Sequence, residues 1–224
     1  AMRRVTENVD GTATLYIGPE QWPVPIPIAK NDDGWFFDAE AAREEIFLRR
    51  VGENELNVIE VAGAYVMGQL EYRLDDHDGD GVHEFAEHFI SAPGERDGLY
   101  WPTEDDAPLS PFGPLVAAAV AEGYVVDGRP EEPEPYHGYF YRILTAQGDT
   151  APGGAYEYMV NGNMVAGHAM LAYPAVYGET GIMTFMVSEN GQVLEKDLGD
   201  ETADLAGAME SFDPDETWEI VEEE

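Results

Sequence analysis

Gly181-Ile182-Met183-Thr184-Phe185-Met186-Val187-Ser188-Glu189-Asn190-Gly191-Gln192-Val193-Leu194-Glu195-Lys196-Asp197-Leu198 reads as two strands joined by a tight turn. Both arms are rich in apolar and β-branched residues, and Asn-Gly between such arms is a strong type I′ hairpin signal. Upstream, Gly138 to Gln147 and Val165 to Tyr173 have the same character, and Asn161-Gly162 marks another turn. The last third of the chain is therefore expected to be an antiparallel meander over residues 138–198. A short helix near Glu201–Ser211 and a tail from Trp218 to Val221 follow it.

The natural cover for one face of that sheet is the segment Asn54 to Leu74. Leu56, Ile59, Gly63, Val66 and Leu70 recur at helical spacing, and a second row, Val58, Val61, Tyr65, Gly68 and Tyr72, widens the stripe. Rows of this kind pack a core, so a half-buried helix is expected. An earlier helix starts at Asp38, a good N-cap, and runs to about Arg50, where Val51-Gly52 interrupts it. A third begins at Ser110-Pro111 and continues, Ala-rich, to Glu122, with Gly123 as its stop. Residues 92–109 read as loop and residues 127–136 as an exposed acidic loop.

At the N-terminus Thr12 to Ile17 alternates as a strand does. In Trp22-Pro23-Val24-Pro25-Ile26-Pro27-Ile28 three prolines remove the amides along one edge, which predicts an edge strand paired on one side only. Asn31-Asp32-Asp33-Gly34 is a turn and Trp35-Phe36-Phe37 returns. The fold class expected is α+β: a long helix packed on an antiparallel β-meander, with residues 1–38 as an N-terminal β-hairpin and residues 39–224 as the main domain.

The chain carries 46 Asp+Glu against 11 Lys+Arg, a formal charge of -35 over 224 residues. Such a surface repels phosphate backbones and anionic lipid, so neither nucleic acid nor a membrane surface is an expected partner; cations are. Adaptation to a salty habitat, where screening relieves self-repulsion, is a second reading of the same charge. Cysteine is absent, which excludes disulfides and thiolate metal sites. No apolar run approaches the roughly 20 residues of a membrane-spanning helix. Ala1-Met2-Arg3-Arg4 lacks the apolar stretch of a signal peptide, and Ala1-Met2 reads as a tag-removal scar.

Asp76-His77-Asp78-Gly79-Asp80-Gly81-Val82-His83-Glu84-Phe85-Ala86-Glu87 fits the calcium-loop pattern D-x-D-x-D-G followed by five residues and Glu. Calcium takes six to eight hard oxygens at about 2.3–2.6 Å. Alternate carboxylates at Asp76, Asp78 and Asp80 converge as the chain curls, and Gly81 permits the turn. The Val82 carbonyl is the next expected ligand, Glu84 acts directly or through water, and Glu87 closes the site with two oxygens. A helix ending near Leu74 and another starting near His83 and stopping before Pro93 would complete an EF-hand-like unit. His83 stands where paired loops carry an aliphatic residue, and no second loop exists in the chain. The expectation is therefore one structural calcium loop rather than a sensor; a polar Asp-Gly loop without metal is the plain alternative.

Other chemistry is weaker. His83 and His88 are five apart, about 140° around a helix, and cannot share a zinc ion from one face. His137 and His168 have no partner nearby in sequence, and no phosphate loop or nucleophile elbow is present. A hydrolase using a carboxylate pair stays open, in a groove rimmed by the Tyr136–Tyr141 region. Tyr136, Tyr139, Phe140, Tyr141, Tyr173 and Tyr177 either line such a groove or fill a sheet face. No catalytic residue can be named from the sequence. No ligand can be named either; a protein partner or assembly into a homo-oligomer both stay open.

Several stretches resemble one family: Phe37-Asp38-Ala39-Glu40-Ala41-Ala42-Arg43-Glu44-Glu45-Ile46, Asp78-Gly79-Asp80-Gly81-Val82, Asp97-Gly98-Leu99-Tyr100-Trp101-Pro102 and Tyr136-His137-Gly138-Tyr139. Leu144-Thr145-Ala146-Gln147-Gly148, Ala151-Pro152-Gly153-Gly154-Ala155-Tyr156 and Glu195-Lys196-Asp197-Leu198-Gly199 continue it almost end to end. The chain is similar throughout to the bacterial exported proteins called domain of unknown function 2950. The resemblance implies export to the periplasm or beyond the cell, and a longer parent of which residues 3–37 form the last hairpin. It implies no activity. A looser similarity, through Ala172-Tyr173-Pro174, Tyr177-Gly178, Thr180-Gly181, Thr184-Phe185 and Asn190-Gly191, is to type IV pilins and pseudopilins. That family has a long helix on a four-stranded meander, and some members are held by calcium. The apolar N-terminal stem that pilins need is replaced here by a hairpin and an amphipathic helix.

Overall fold

Asp38 opens the longest element of the protein. Its Oδ1 accepts the amides of Glu40 at 3.2 Å and Ala41 at 3.0 Å. These are donors that a helix start otherwise leaves unpaired. The helix that follows, α1, runs without a break over Ala42–Tyr72. Thirty-one residues make it about 46 Å long. The interruption expected at Val51-Gly52 is not there: a glycine inside a helix costs only about 1 kcal/mol relative to alanine, and the flanking turns carry it.

A computed structural model describes residues 2–103, 109–122, 124 and 134–222. The expected helix stop at Gly123 and residues 127–133 of the expected acidic loop lie outside the described residues. The chain divides into two compact units, Ala1–Glu53 and Asn54–Glu224. Among the described residues the architecture is mixed, with three helices and several antiparallel sheets, one of them containing an N-terminal hairpin. The other helices are α2, Gly113–Ala121, and α3, Thr202–Ala208. No helix of the described residues is long and apolar enough to cross a membrane.

In the first unit, strands Arg3–Glu7, Ala13–Ile17, Ile28–Asn31 and Gly34–Phe37 pair antiparallel in that order. The single edge strand expected over residues 22–28 is instead two pieces, Trp22–Pro23 and Ile28–Asn31, both set against Ala13–Ile17. The prolines are the reason: Pro23, Pro25 and Pro27 have no amide to give, and between them the Val24 amide donates to Leu15 O at 2.8 Å. Trp22–Pro23 pairs on one side, whereas Ile28–Asn31 also pairs with Gly34–Phe37.

In the second unit the largest sheet has the order Glu219–Ile220, Val193–Asp197, Met183–Ser188, Ala169–Pro174, Tyr139–Leu144, antiparallel throughout. Facing residues share a side of the sheet, so the register sorts the two middle strands into two cores. Met170, Ala172, Phe185 and Val187 fall in one cluster with Val58, Val61, Ala62, Tyr65 and Val66 of α1. Ala169, Leu171 and Met186 fall in the other, with Ala206 of α3, Phe85, Tyr158 and Phe212. Burial on both faces explains why these strands are apolar almost without alternation.

Polar groups fix the helix to this framework. Tyr65 Oη donates to Ala169 O at 3.0 Å. Glu55 Oε1 accepts the amides of Ile182 at 2.8 Å and Met183 at 3.0 Å. The aromatic residues considered as groove lining divide: Tyr139 is buried and Tyr141 packs on the helix-side core, while the Phe140 and Tyr173 rings meet at a 46° tilt with centroids 5.6 Å apart.

The Asn-Gly turns exchange roles. Asn161 and Gly162 have φ of 55° and 98° between paired Val160 and Asn163, which is the two-residue type I′ geometry. At Ser188–Gly191 the Gly191 amide donates to Ser188 O at 2.9 Å. There Asn190 is absent from the positive-φ residues and only Gly191, at 75°, is left-handed, so the type I′ turn expected at this hairpin is not formed.

Candidate metal centre

The end of α1 delivers the aspartate loop. After Tyr72 the chain closes with Leu74 N on Glu71 O and Asp75 N on Tyr72 O, then turns through Asp76–Val82. Gly79 and Gly81 hold φ of 84° and 89°, a region that side-chain-bearing residues rarely adopt. The carboxylates fold the loop about themselves. Asp76 accepts the amides of Gly79 at 2.7 Å and Gly81 at 2.9 Å on its two oxygens. Asp78 Oδ1 accepts Asp80 N at 3.1 Å, and Asp80 Oδ1 accepts Val82 N at 2.7 Å.

Asp76, Asp78 and Asp80 each offer a carboxylate oxygen, and these lie within 4.8 Å of one another. All three side chains are exposed, and no histidine belongs to the group. The Gly79 amide first, then that of Gly81, holds the Asp76 carboxyl below the usual aspartate range. Three hard oxygens around one point suit a hard cation such as calcium or magnesium and offer nothing to a soft one.

The remaining sequence-predicted residues are placed differently. Val82 is at the loop's exposed end. Glu84 and Glu87 are half-buried and line a cleft of about 630 Å³ with Asp78, Tyr72, His77 and Asn163. They stand outside the three-aspartate group. Burial, and then the charges of Asp78, Glu87 and Asp80, push the Glu84 carboxyl up. The exit helix expected from His83 does not form. Phe85 N donates to Met164 O at 2.8 Å, and Ala86 exchanges two bonds with the Gln69 side chain, at 2.8 and 2.9 Å. Backbone groups bound across the chain are not free to bond four residues along it. The segment passes instead into the short strand His88–Ile90, parallel to Gly98–Tyr100.

Two residues that sequence reasoning missed support the loop. Asn163 Nδ2 donates to Asp80 Oδ2 at 2.5 Å, from a strand 83 positions away. Gln69, fully buried in α1, holds Ala86. The Asn161-Gly162 turn signal was the only pointer to the first, since the type I′ hairpin presents Asn163. Two of the histidines are engaged close to the loop: the His77 ring meets that of Tyr72 with centroids 4.1 Å apart, and the His83 ring meets Arg73 O at 3.0 Å. His137 lies 3.1 Å from Glu122.

An aspartate loop held between a helix end and a β-hairpin, on an acidic mixed α/β framework, defines the class of protein. The chain belongs to the family described as protein of unknown function (DUF2950), whose model matches residues 1–221. No curated protein and no solved structure matches it.

Proposed function

We propose that this protein is an exported, periplasmic or extracellular, non-enzymatic module whose aspartate loop is a structural calcium site, built as a pilin-like long helix on an antiparallel meander. The convergence of the Asp76, Asp78 and Asp80 carboxylates within 4.8 Å carries the reading. Uncompensated, three carboxylates so close repel one another; a divalent cation turns that repulsion into attraction. Calcium is favoured over magnesium because flexible, carboxylate-rich shells suit the larger ion, whereas magnesium demands near-octahedral geometry at about 2.0–2.1 Å. Asp76, Asp78, Asp80 and the Val82 carbonyl would hold the ion, with Glu84 and Glu87 entering directly or through water. The helix-on-meander reading draws on the cluster shared by Tyr65, Val58 and Phe185. Calorimetric titration of chelator-treated protein tests the site: heat with calcium and little with magnesium is expected, and silence toward calcium at millimolar concentration would remove the proposal.

A second reading rests on the cleft itself. Glu84, a carboxyl raised by burial, faces the same cleft as Asp78 and Glu87, which is the environment of a general acid in a hydrolase. Turnover of an aryl glycoside or ester that Glu84→Gln abolishes would favour it; retention of that turnover in the variant would end it.

A further inference from the structure

The helix α1 has two apolar sides. Val58, Val61, Ala62, Tyr65 and Gln69 turn into the core. Leu56, Gly63, Met67 and Leu70, continued by Leu74 just past the helix end, form a second row, centred roughly 150° away at about 100° per residue. Met67, Leu70 and Leu74 are 66%, 50% and 72% exposed. The sequence gives this row the i, i+3, i+4, i+7 rhythm of a helix seam, yet it faces outward.

Beside the row lies α2, whose residues Gly113–Ala121 carry no polar side chain. It is held close through Gly68, where an added Cβ would stand 2.9 Å from the Phe112 ring. Between the two helices runs a groove of about 600 Å³ whose walls include Met67, Leu70, Leu74, Phe112 and Leu115, with Glu71 as the one charged residue lining it. Monomeric proteins seldom expose apolar surface of this continuity unless something covers it.

Charge selects the occupant. Along the row from Leu56 to Leu74 the charged residues are Glu60, Glu71 and Arg73, and the Arg73 guanidinium is engaged over the Phe85 ring, 4.6 Å from its centroid. Glu122, at the C-terminal end of α2, adds a further carboxylate. A second copy of the chain would bring the same acidic borders together, at a net charge of -35 each. An apolar seam with cationic flanks satisfies both the groove and its borders. We propose that this groove binds an amphipathic, Lys/Arg-flanked helical segment of a partner protein. The surface shares no residue with the aspartate loop, so the inference stands apart from the metal reading.

The test uses the full chain and a fluorescent Leu/Lys peptide of about 18 residues, with Leu at i, i+3, i+4 and i+7 spacing. A permuted peptide of the same composition, without the stripe, measures attraction to the acidic surface alone. Anisotropy titrations should show the striped peptide binding at least about tenfold tighter than the permuted one, with the Leu70→Ser/Leu74→Ser double variant reducing that gap to about twofold. Met67→Ser is the second variant, and circular-dichroism melts confirm that each keeps its fold. Equal binding of the two peptides, or a gap that neither variant narrows, overturns the proposal. So does a striped Leu/Glu peptide binding as tightly as the Leu/Lys one. Sedimentation showing a dimer that Leu70→Ser/Leu74→Ser dissolves would replace the partner with a second copy and overturn it equally.

Discussion

His168 is fully buried between Tyr65 and Phe85, with ring centroids at 5.3 and 4.6 Å, and neither of its ring nitrogens has a hydrogen-bond partner. Burial first, and the Arg73 charge second, pushes its pKa down from 6.5 to about 4. The folded chain therefore keeps the imidazole neutral where the unfolded chain already protonates it. Stability is fully present above the unfolded value and is lost as pH falls through the interval from about 6.5 to about 4. At 1.36 kcal/mol per unit, the loss between about pH 7.5 and about pH 4.5 comes to about 2.5 kcal/mol. His168→Leu conserves volume, removes the proton site and removes two unpaired nitrogens, so it should be at least as stable as the parent near neutrality. Urea unfolding of both proteins at the two pH values isolates the effect, because the shifted carboxyls of Asp10, Asp76, Glu84, Glu195 and Asp215 are common to both. The parent should lose about 2.5 kcal/mol more than the variant on acidification. Equal losses, within about 0.5 kcal/mol, would refute the argument from burial.

Replacing Asp78 and Asp80 together by Asn should abolish the calcium-dependent part of the melting temperature and leave the calcium-free melt unchanged or slightly raised, read by differential scanning calorimetry. Gly181→Ala drives a Cβ into the hydroxyl of buried Tyr139 and should cost about 2 kcal/mol or more in urea unfolding. Glu55→Ala strips the acceptor from the Ile182 and Met183 amides and should cost about 1–3 kcal/mol by the same measurement.

The parts of the fold legible in the sequence are those where local chemistry and tertiary demand agree. The strands of the large sheet could be read because burial on both faces keeps them apolar, Asp38 because its side chain caps nearby amides, and the core row Val58, Val61, Tyr65 because one-sided burial enforces a period of 3.6 in a helix. What was not legible turns on partners distant in sequence. Val51-Gly52 reads as a break because propensity is local, while the continuity of α1 is cooperative. Residues 83–87 read as a helix because nothing in them reveals that Met164 and Gln69 claim their backbone groups. The type I′ turn expected at Asn190-Gly191 is found instead at Asn161-Gly162, because an Asn-Gly pair permits that form without enforcing it. The spacing of Asp76, Asp78 and Asp80 was legible because a loop of six residues closes on itself. Asn163 was not, being brought to Asp80 by a hairpin that the calcium-loop pattern does not contain.

The claim that calcium holds this protein together is tested most directly by its melting temperature in excess calcium against excess chelator, with occupancy followed in parallel by calorimetric titration. Binding to the folded state alone should stabilise it by roughly 2.7 kcal/mol at one hundred times the dissociation constant, seen as a melting temperature that climbs with calcium and much less with magnesium. A melting temperature that stays fixed while titration shows the loop occupied would contradict a stabilising role.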